Sequence, residues 1–160
     1  MTAVALLDEL KKFVEEHTKD IILSVKVKPN SEESNERPAE VHKMRLPNKD
    51  AETKLIPYIL LQFLTGKDGQ EEGQSAESEG KVRIVVATYS EDGGEGAMDV
   101  LNVLTRIRIA LLKEGIVGEQ FLLKKPLEYI VYPDDTAPYY MGEMLTTWEM
   151  PEIERKIEYL

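Results

Sequence analysis

The residues in this chain that could take part in chemistry are few and far apart. Among 160 residues there are two histidines and no cysteine, which excludes disulfides, thiolate nucleophiles and thiolate metal ligands. His17 falls at the end of a predicted helix, and His42 falls in a predicted polar loop. A histidine that transfers protons or binds metal needs partners held in fixed geometry. Neither position offers such partners, so we interpret both histidines as surface residues.

A glycine-rich segment, residues 92–96, precedes a predicted helix. Glycine amides at a helix N-terminus can bind phosphate. Asp92 and Glu95 would repel an anion there, no lysine follows at the spacing of a phosphate-binding loop, and the glycine spacing of a dinucleotide site is missing. We interpret the segment as a strand-to-helix turn.

Clustered carboxylates are the remaining candidates, because calcium takes carboxylate oxygens. Asp134 and Asp135 lie between two predicted strands, and residues 66–80 hold five acids and one lysine. Their spacing matches no EF-hand loop, and the chain has no Gly-x-Ser-x-Gly nucleophile elbow. The sequence therefore predicts that the protein is not an enzyme and has no catalytic, cofactor-binding or metal site.

The net charge argues against polyanionic partners. Thirty acidic and 20 basic residues leave a formal charge of −10, and the mean field repels nucleic acid phosphates and anionic membranes. No stretch approaches the roughly 18 apolar residues of a membrane span, and the N-terminal segment is unlike a signal peptide. We expect a soluble, intracellularly made protein without a membrane partner or specific nucleic acid binding.

In the first half of the chain, periodicity predicts one helix and two strands. Thr2 is a candidate N-cap for an opening helix whose apolar stripe is Leu6, Leu10, Phe13 and Val14. Residues 21–28 alternate as a strand. Residues 29–40 contain four glutamates and no large apolar side chain, so we predict a flexible loop. Residues 54–65 form a dense apolar strand, with Pro57 at its start or at a sheet edge.

The second half is better specified. Residues 66–80 are predicted as a flexible acidic loop at the tip of a long hairpin whose second strand is 82–89. A helix over about 97–114 follows, with Gly115 as its C-terminal cap. Its predicted buried side consists of Ala97, Val100, Leu101, Leu104, Ile107 and Leu111.

Residues 121–131 and 139–148 flank a turn rich in proline and aspartate and are predicted to pair as an antiparallel hairpin. Its second strand presents one set of side chains to each face, namely Tyr140, Gly142, Met144, Thr146 and Trp148 on one, and Tyr139, Met141, Glu143, Leu145, Thr147 and Glu149 on the other. Aromatic residues and methionines are enriched at interfaces, although core packing with one solvated face accounts for the pattern as well. Residues 152–160 are predicted as a short helix or an extended tail.

These elements predict one α/β (α+β) domain over residues 1–160. Its order is α-β-β-β-α-β-β, with a mixed, mainly antiparallel sheet packed by two helices. The segments 29–40 and 66–80 are loops within this domain and do not divide it.

The second half also resembles a known family. The strand 82–89 with its turn, the helix 98–112, the strand around Leu127 and the closing segment 140–151 resemble the tail-terminator and minor tail proteins of long-tailed bacteriophages and prophages. The resemblance covers residues 81–152 and extends to the first half only by element order. It rests on packing and turn patterns.

The resemblance implies a structural subunit of the virion tail, made in the bacterial host cytoplasm, that forms a homo-oligomeric ring, usually a hexamer. Such a ring caps the tail tube and joins it to the head-completion or connector protein, while DNA passes through. We further expect the loops 29–40 and 66–80 to contact the lumen or a partner. The alternative is an intracellular α/β module that binds a small molecule without catalysis.

Overall fold

The chain opens with a helix that begins where the sequence predicts. In the computed structural model, which describes residues 2–30, 32–47, 53–134, 136–153 and 155–156, helix α1 spans Ala3–Thr18. The Thr2 hydroxyl accepts a hydrogen bond from the Ala5 amide at 3.1 Å, which satisfies one of the free donors of the first turn. Leu6, Leu10 and Val14 are fully buried on one side of the helix, so the predicted stripe faces the core.

The first predicted strand is shorter than expected. Of residues 21–28, only Leu23–Ser24 form a strand, β1, which pairs antiparallel with β2, Glu36–Arg37. The prediction of a strand over 21–28 was wrong beyond these two residues because this ladder ends after two pairs. Strand β2 lies inside the predicted loop 29–40. The next strand, β3, spans Glu40–Lys43, and its first residue also falls within that loop. The flexibility of that segment stays a prediction.

A curled six-stranded sheet forms the centre of the fold, in the order β3-β4-β5-β8-β7-β6. Strand β3 runs parallel to β4, and all other neighbours are antiparallel. The remaining strands are β4 Tyr58–Gly69, β5 Glu77–Tyr89, β6 Ile116–Val117, β7 Phe121–Val131 and β8 Tyr139–Met150. This is the single-domain α+β fold that the sequence predicts, with the short strands β2, β3 and β6 added to the predicted order.

The β4–β5 hairpin is longer than expected and its turn is correspondingly shorter. The strands continue through Gly69 and resume at Glu77, so the predicted loop 66–80 reduces to residues 70–76. Pro57 precedes β4, as predicted. Within the hairpin, the Phe63 ring packs directly on Gly80, because a Cβ on Gly80 would lie 2.6 Å from Cε2 of that ring.

Helix α2, Gly93–Glu114, begins four residues earlier than the predicted position 97 because Asp92 is its N-cap. The Asp92 carboxylate accepts hydrogen bonds from the amides of Gly94 and Glu95 at 2.9 and 3.2 Å. Gly115 ends the helix in the left-handed region, at φ 67°, as predicted for that position. Leu101, predicted to be buried, is 37% exposed, and Val103 lies in the core instead.

Both helices pack on the same face of the sheet. The core between them and the sheet contains Ile59, Leu61, Val82, Ile84, Val86, Val100, Leu104, Ile107, Met144 and Trp148. The β7–β8 hairpin forms as predicted, and β8 alternates between its two faces as predicted. Residues 151–153 and 155–156 form neither helix nor strand. Residues 154 and 157–160, the rest of the predicted terminal element, lie outside the described residues.

Candidate functional site

The face of the sheet opposite the helices, here called the open face, is the most distinctive surface of the described chain. Residues paired across neighbouring strands point to the same side, and the register places Arg83 beside Gln62 of β4 and Leu145 of β8. The open face divides along the strands into an apolar end, a polar centre and an exposed end. Each of these zones has a different chemistry.

The apolar end is a second, smaller core. It contains Tyr58, Leu60, Val85, Ala87 and Tyr89, with Ile56, Leu46, Leu55, Tyr139 and Met141 packed against them. The dense apolar run of β4 is therefore buried on both faces at its start. The Tyr89 hydroxyl donates a hydrogen bond to Glu91, and this bond together with burial raises the pKa of Tyr89 to about 12.

Arg83 organises the polar centre. Its Nε donates to the Glu143 carboxylate, its Nη1 donates to Gln62 Oε1 at 3.1 Å, and its Nη2 donates to the Tyr132 hydroxyl at 3.1 Å. The hydrogen bond to Glu143 raises the pKa of the Arg83 guanidinium. The guanidinium fork thus links β4, β5, β8 and the end of β7, and stays charged at all physiological pH values.

At the exposed end, large apolar side chains are exposed to solvent. Their exposed fractions are Leu64 49%, Leu122 43% and Leu145 42%, whereas Ile130, which is 52% exposed, pairs with Glu143 beside the polar centre. Lys81, Lys124 and Lys125 surround Leu64 and Leu145 along a shallow groove. The Lys124 ammonium lies 3.9 Å from the Glu79 carboxylate. We call this end of the open face the apolar patch.

Strand β7 borders the apolar patch, and beyond Leu122 no described strand pairs with its outer side. Pro126 cannot donate a ladder hydrogen bond, and the register between β7 and β8 shifts between Lys124 and Glu128. Proline, lysine and a bulge are the devices that keep an edge strand from pairing with another strand. We therefore expect a partner to contact this side of the protein through the open face, and not by pairing a strand with the outer edge of β7.

The predicted candidates for chemistry are dispersed over the chain, and His42, which pairs with Leu60, belongs to the open face. His17 Nδ1 lies 2.8 Å from the Phe13 carbonyl oxygen, in the last turn of α1. The prediction that His42 lies in a polar loop was wrong, because it belongs to β3, where its Nε2 lies 3.6 Å from the Glu40 carboxylate. That side chain is only 17% exposed. Residues around it in sequence are mostly polar, which concealed the strand.

The interpretation of segment 92–96 as a strand-to-helix turn was wrong for residues 93–96, because Asp92 is the N-cap of α2 and these four residues form its first turn. Asp134 is exposed, and Asp135 lies outside the described residues. Among the described residues, no three histidine, aspartate or glutamate side chains form a group that could hold a metal ion. Within the same residues, no helix has the length and apolar character to cross a bilayer.

Sequence reasoning missed the Arg83 network. Arg83 stands alone as a charged residue within the apolar run 82–89, and that interruption is the signal that could have drawn attention to it. Its partners come from positions 62, 132 and 143, which only the strand register brings together.

Comparison with known proteins does not assign the chain to a family. No protein-family model matches the chain, and no curated protein matches it significantly.

Proposed function

We propose that this protein is a structural subunit of the tail of a long-tailed bacteriophage or prophage. It acts without catalysis as a homo-oligomeric ring, of six copies as in the family that it resembles. The ring caps the tail tube and joins it to the head-completion or connector protein. The protein is made in the host cytoplasm and resides in the virion tail, where DNA passes through the ring without specific binding.

The observation that carries this proposal is the apolar patch. Leu64 and Leu145 line one groove of the open face and are 49% and 42% exposed. Contiguous exposed apolar residues bordered by charged ones mark protein interaction sites. Burying apolar surface releases about 25 cal/mol per Å², so a subunit that carries such a patch gains stability when a neighbour covers it.

The charge of the chain supports the same proposal. Six copies at −10 each would place strongly acidic surface around a central bore. Repulsion between that surface and phosphates would keep a passing DNA from adhering. The acidic segment 66–80 and the segment 29–40 are the candidates for lumen or partner contacts. Deleting both segments without loss of ring formation or joining would refute their assignment.

The test is a tube-capping assay by negative-stain microscopy. Purified tail-tube protein is polymerised with the full chain, and we expect shorter tubes that end in a ring. The variant Leu145→Asp should lose capping because it places a charge in the apolar patch. Ile153→Asp is the matched control, since Ile153 is 81% exposed and lies outside the sheet. Tubes of unchanged length and bare ends with the wild-type chain would refute the proposal.

A second candidate function is small-molecule binding by a module of this fold. A groove of about 860 Å³ borders the apolar end of the open face and contains Lys26, Lys28 and Lys54. This volume falls within the range of ligand pockets, about 300–1,000 Å³. Isothermal titration with inorganic pyrophosphate separates the two functions. Saturable binding by a chain that stays monomeric with tail-tube protein would favour the second.

A further inference from the structure

The lysine-containing groove is a positive surface in an acidic chain. Its lining consists of Lys26, Val27, Lys28, Pro29, Asn30, Glu33, Lys54, Ile56 and Tyr139. Lys26, Lys28 and Lys54 are exposed, and Glu33 is the one carboxylate among these nine residues. Three lysines against one glutamate give the concavity a net positive charge, and its apolar lining includes Ile56 and Tyr139. We call this the lysine groove.

The tip of the β4–β5 hairpin has the opposite charge. Glu71 and Glu72 are exposed in the turn, and Asp68 and Glu77 flank it on the two strands. The turn is shaped by its own hydrogen bonds, because the Gln74 amide donates to the Glu71 carbonyl at 3.0 Å and the Gln70 side chain donates to the Gln74 carbonyl at 2.9 Å. These two hydrogen bonds close the turn that carries the acidic tip.

These two surfaces cannot meet within one chain. The lysine groove adjoins the start of β4, next to Ile56, whereas the acidic tip follows its end at Gly69. Strands rise about 3.3 Å per residue, so the 12 residues of β4 hold the two surfaces roughly 36 Å apart. The acidic tip can therefore reach a lysine groove only in a second copy.

We propose that the acidic tip of one subunit docks in the lysine groove of the next. This inference rests on the proposed function, because it names the contact between neighbouring copies in the ring. The contact is heterologous, with different surfaces on the two partners, and such contacts build rings when the rotation closes. It also gives the segments 26–30 and 66–80 one shared role, as the two halves of a single interface.

Charge reversal tests the pairing. The groove variant is Lys28→Glu/Lys54→Glu, and the tip variant is Glu71→Lys/Glu72→Lys. Both sites are exposed, so both variants keep the fold, which circular dichroism verifies. Matched controls reverse the same number of charges on α1 and its C-cap residue, as Lys12→Glu/Lys19→Glu and Glu15→Lys/Glu16→Lys. Association is measured by native mass spectrometry and sedimentation on the full chain, with tail-tube protein added to start assembly.

We expect each variant alone to self-associate roughly tenfold or more weakly than the wild type, because like charges meet at every contact. An equimolar mixture of the two should recover assembly, since the reversed groove then receives the reversed tip and the normal surfaces pair as before. The α1 controls should assemble like the wild type. Added salt should weaken wild-type assembly.

The outcomes separate this inference from the proposed function. A wild-type ring that is unaffected by the groove and tip variants, or a mixture that fails to recover, overturns the docking inference and leaves the ring standing. A wild-type chain that forms no complex with itself or with tail-tube protein overturns both. Loss of pyrophosphate binding in the groove variant, with unchanged assembly, overturns the docking inference and assigns the groove to a small anion.

Discussion

The close approach of α2 to the sheet at Gly142 gives a sharp prediction of stability. A Cβ at this position would lie 2.7 Å from Val100 Cγ1, 2.9 Å from the Ile130 carbonyl oxygen and 3.0 Å from Leu104 Cδ1. The carbonyl belongs to β7 and cannot rotate away, and both methyl groups belong to buried side chains of α2. Gly142→Ala therefore overpacks the core, which costs about 1–3 kcal/mol.

Part of this cost is offset, because replacing glycine stabilises by up to about 1 kcal/mol through the unfolded chain. We expect a net loss of about 1–2 kcal/mol in the free energy of unfolding, which lowers Tm by roughly 2–8 °C for a chain of this size. The assay is urea unfolding followed by the fluorescence of Trp148, the chain's single tryptophan, which is fully buried.

Gly69→Ala is the matched control, since Gly69 is also a strand glycine and the nearest atom to its added Cβ would be Lys67 Cε at 3.9 Å. The control should keep or slightly raise stability. If Gly142→Ala and Gly69→Ala unfold at the same urea concentration as the wild type, α2 does not pack on β8 as closely as described.

Three further outcomes are expected. Thr146→Val should lower the free energy of unfolding by about 1–3 kcal/mol in urea titrations, because the buried Trp148 Nε1 donates to the Thr146 hydroxyl at 2.8 Å and would lose its partner; equal stability would refute this. Burial, and then the charge of Glu95, raise the pKa of Asp99, so folding favours its protonated form and wild-type stability falls as pH rises above the unfolded pKa. Asp99→Asn should therefore raise Tm at pH 7 relative to the wild type and lose this advantage below roughly pH 4, whereas a constant difference across pH would contradict the assignment. Arg83→Met should leave Glu143 without its partner and lower Tm, and the double variant with Glu143→Leu should recover part of the loss; a double variant less stable than Arg83→Met would argue against the pair.

The second half of the fold could be predicted because its signals are local. Gly115 and the apolar stripe before it set the end and orientation of α2, whereas the cap at Asp92 starts the helix four residues before the predicted position. The alternation of β8 matches its burial from Gly142 to Glu149. Leu101 departs from this pattern because helical spacing fixes the side of the helix only to within one residue. Local periodicity cannot tell which residue at the edge of a stripe meets the sheet.

The missed features depend on distant residues. Strand β3 has one buried apolar residue, Val41, and exists because it pairs with β4. The Arg83 network and the apolar patch arise from register between strands, which no short segment encodes. The predicted absence of a catalytic, cofactor-binding or metal site stays a prediction, and so does the assignment to the virion tail.

The proposed action by assembly is tested most directly by native mass spectrometry of the full chain with and without tail-tube protein. Subunits of the family that it resembles can be monomeric before assembly, so the mixture is the deciding sample. We predict a closed ring of six copies, alone at high concentration or on the end of the tube. A chain that remains a monomer in both samples at every concentration would contradict the proposal.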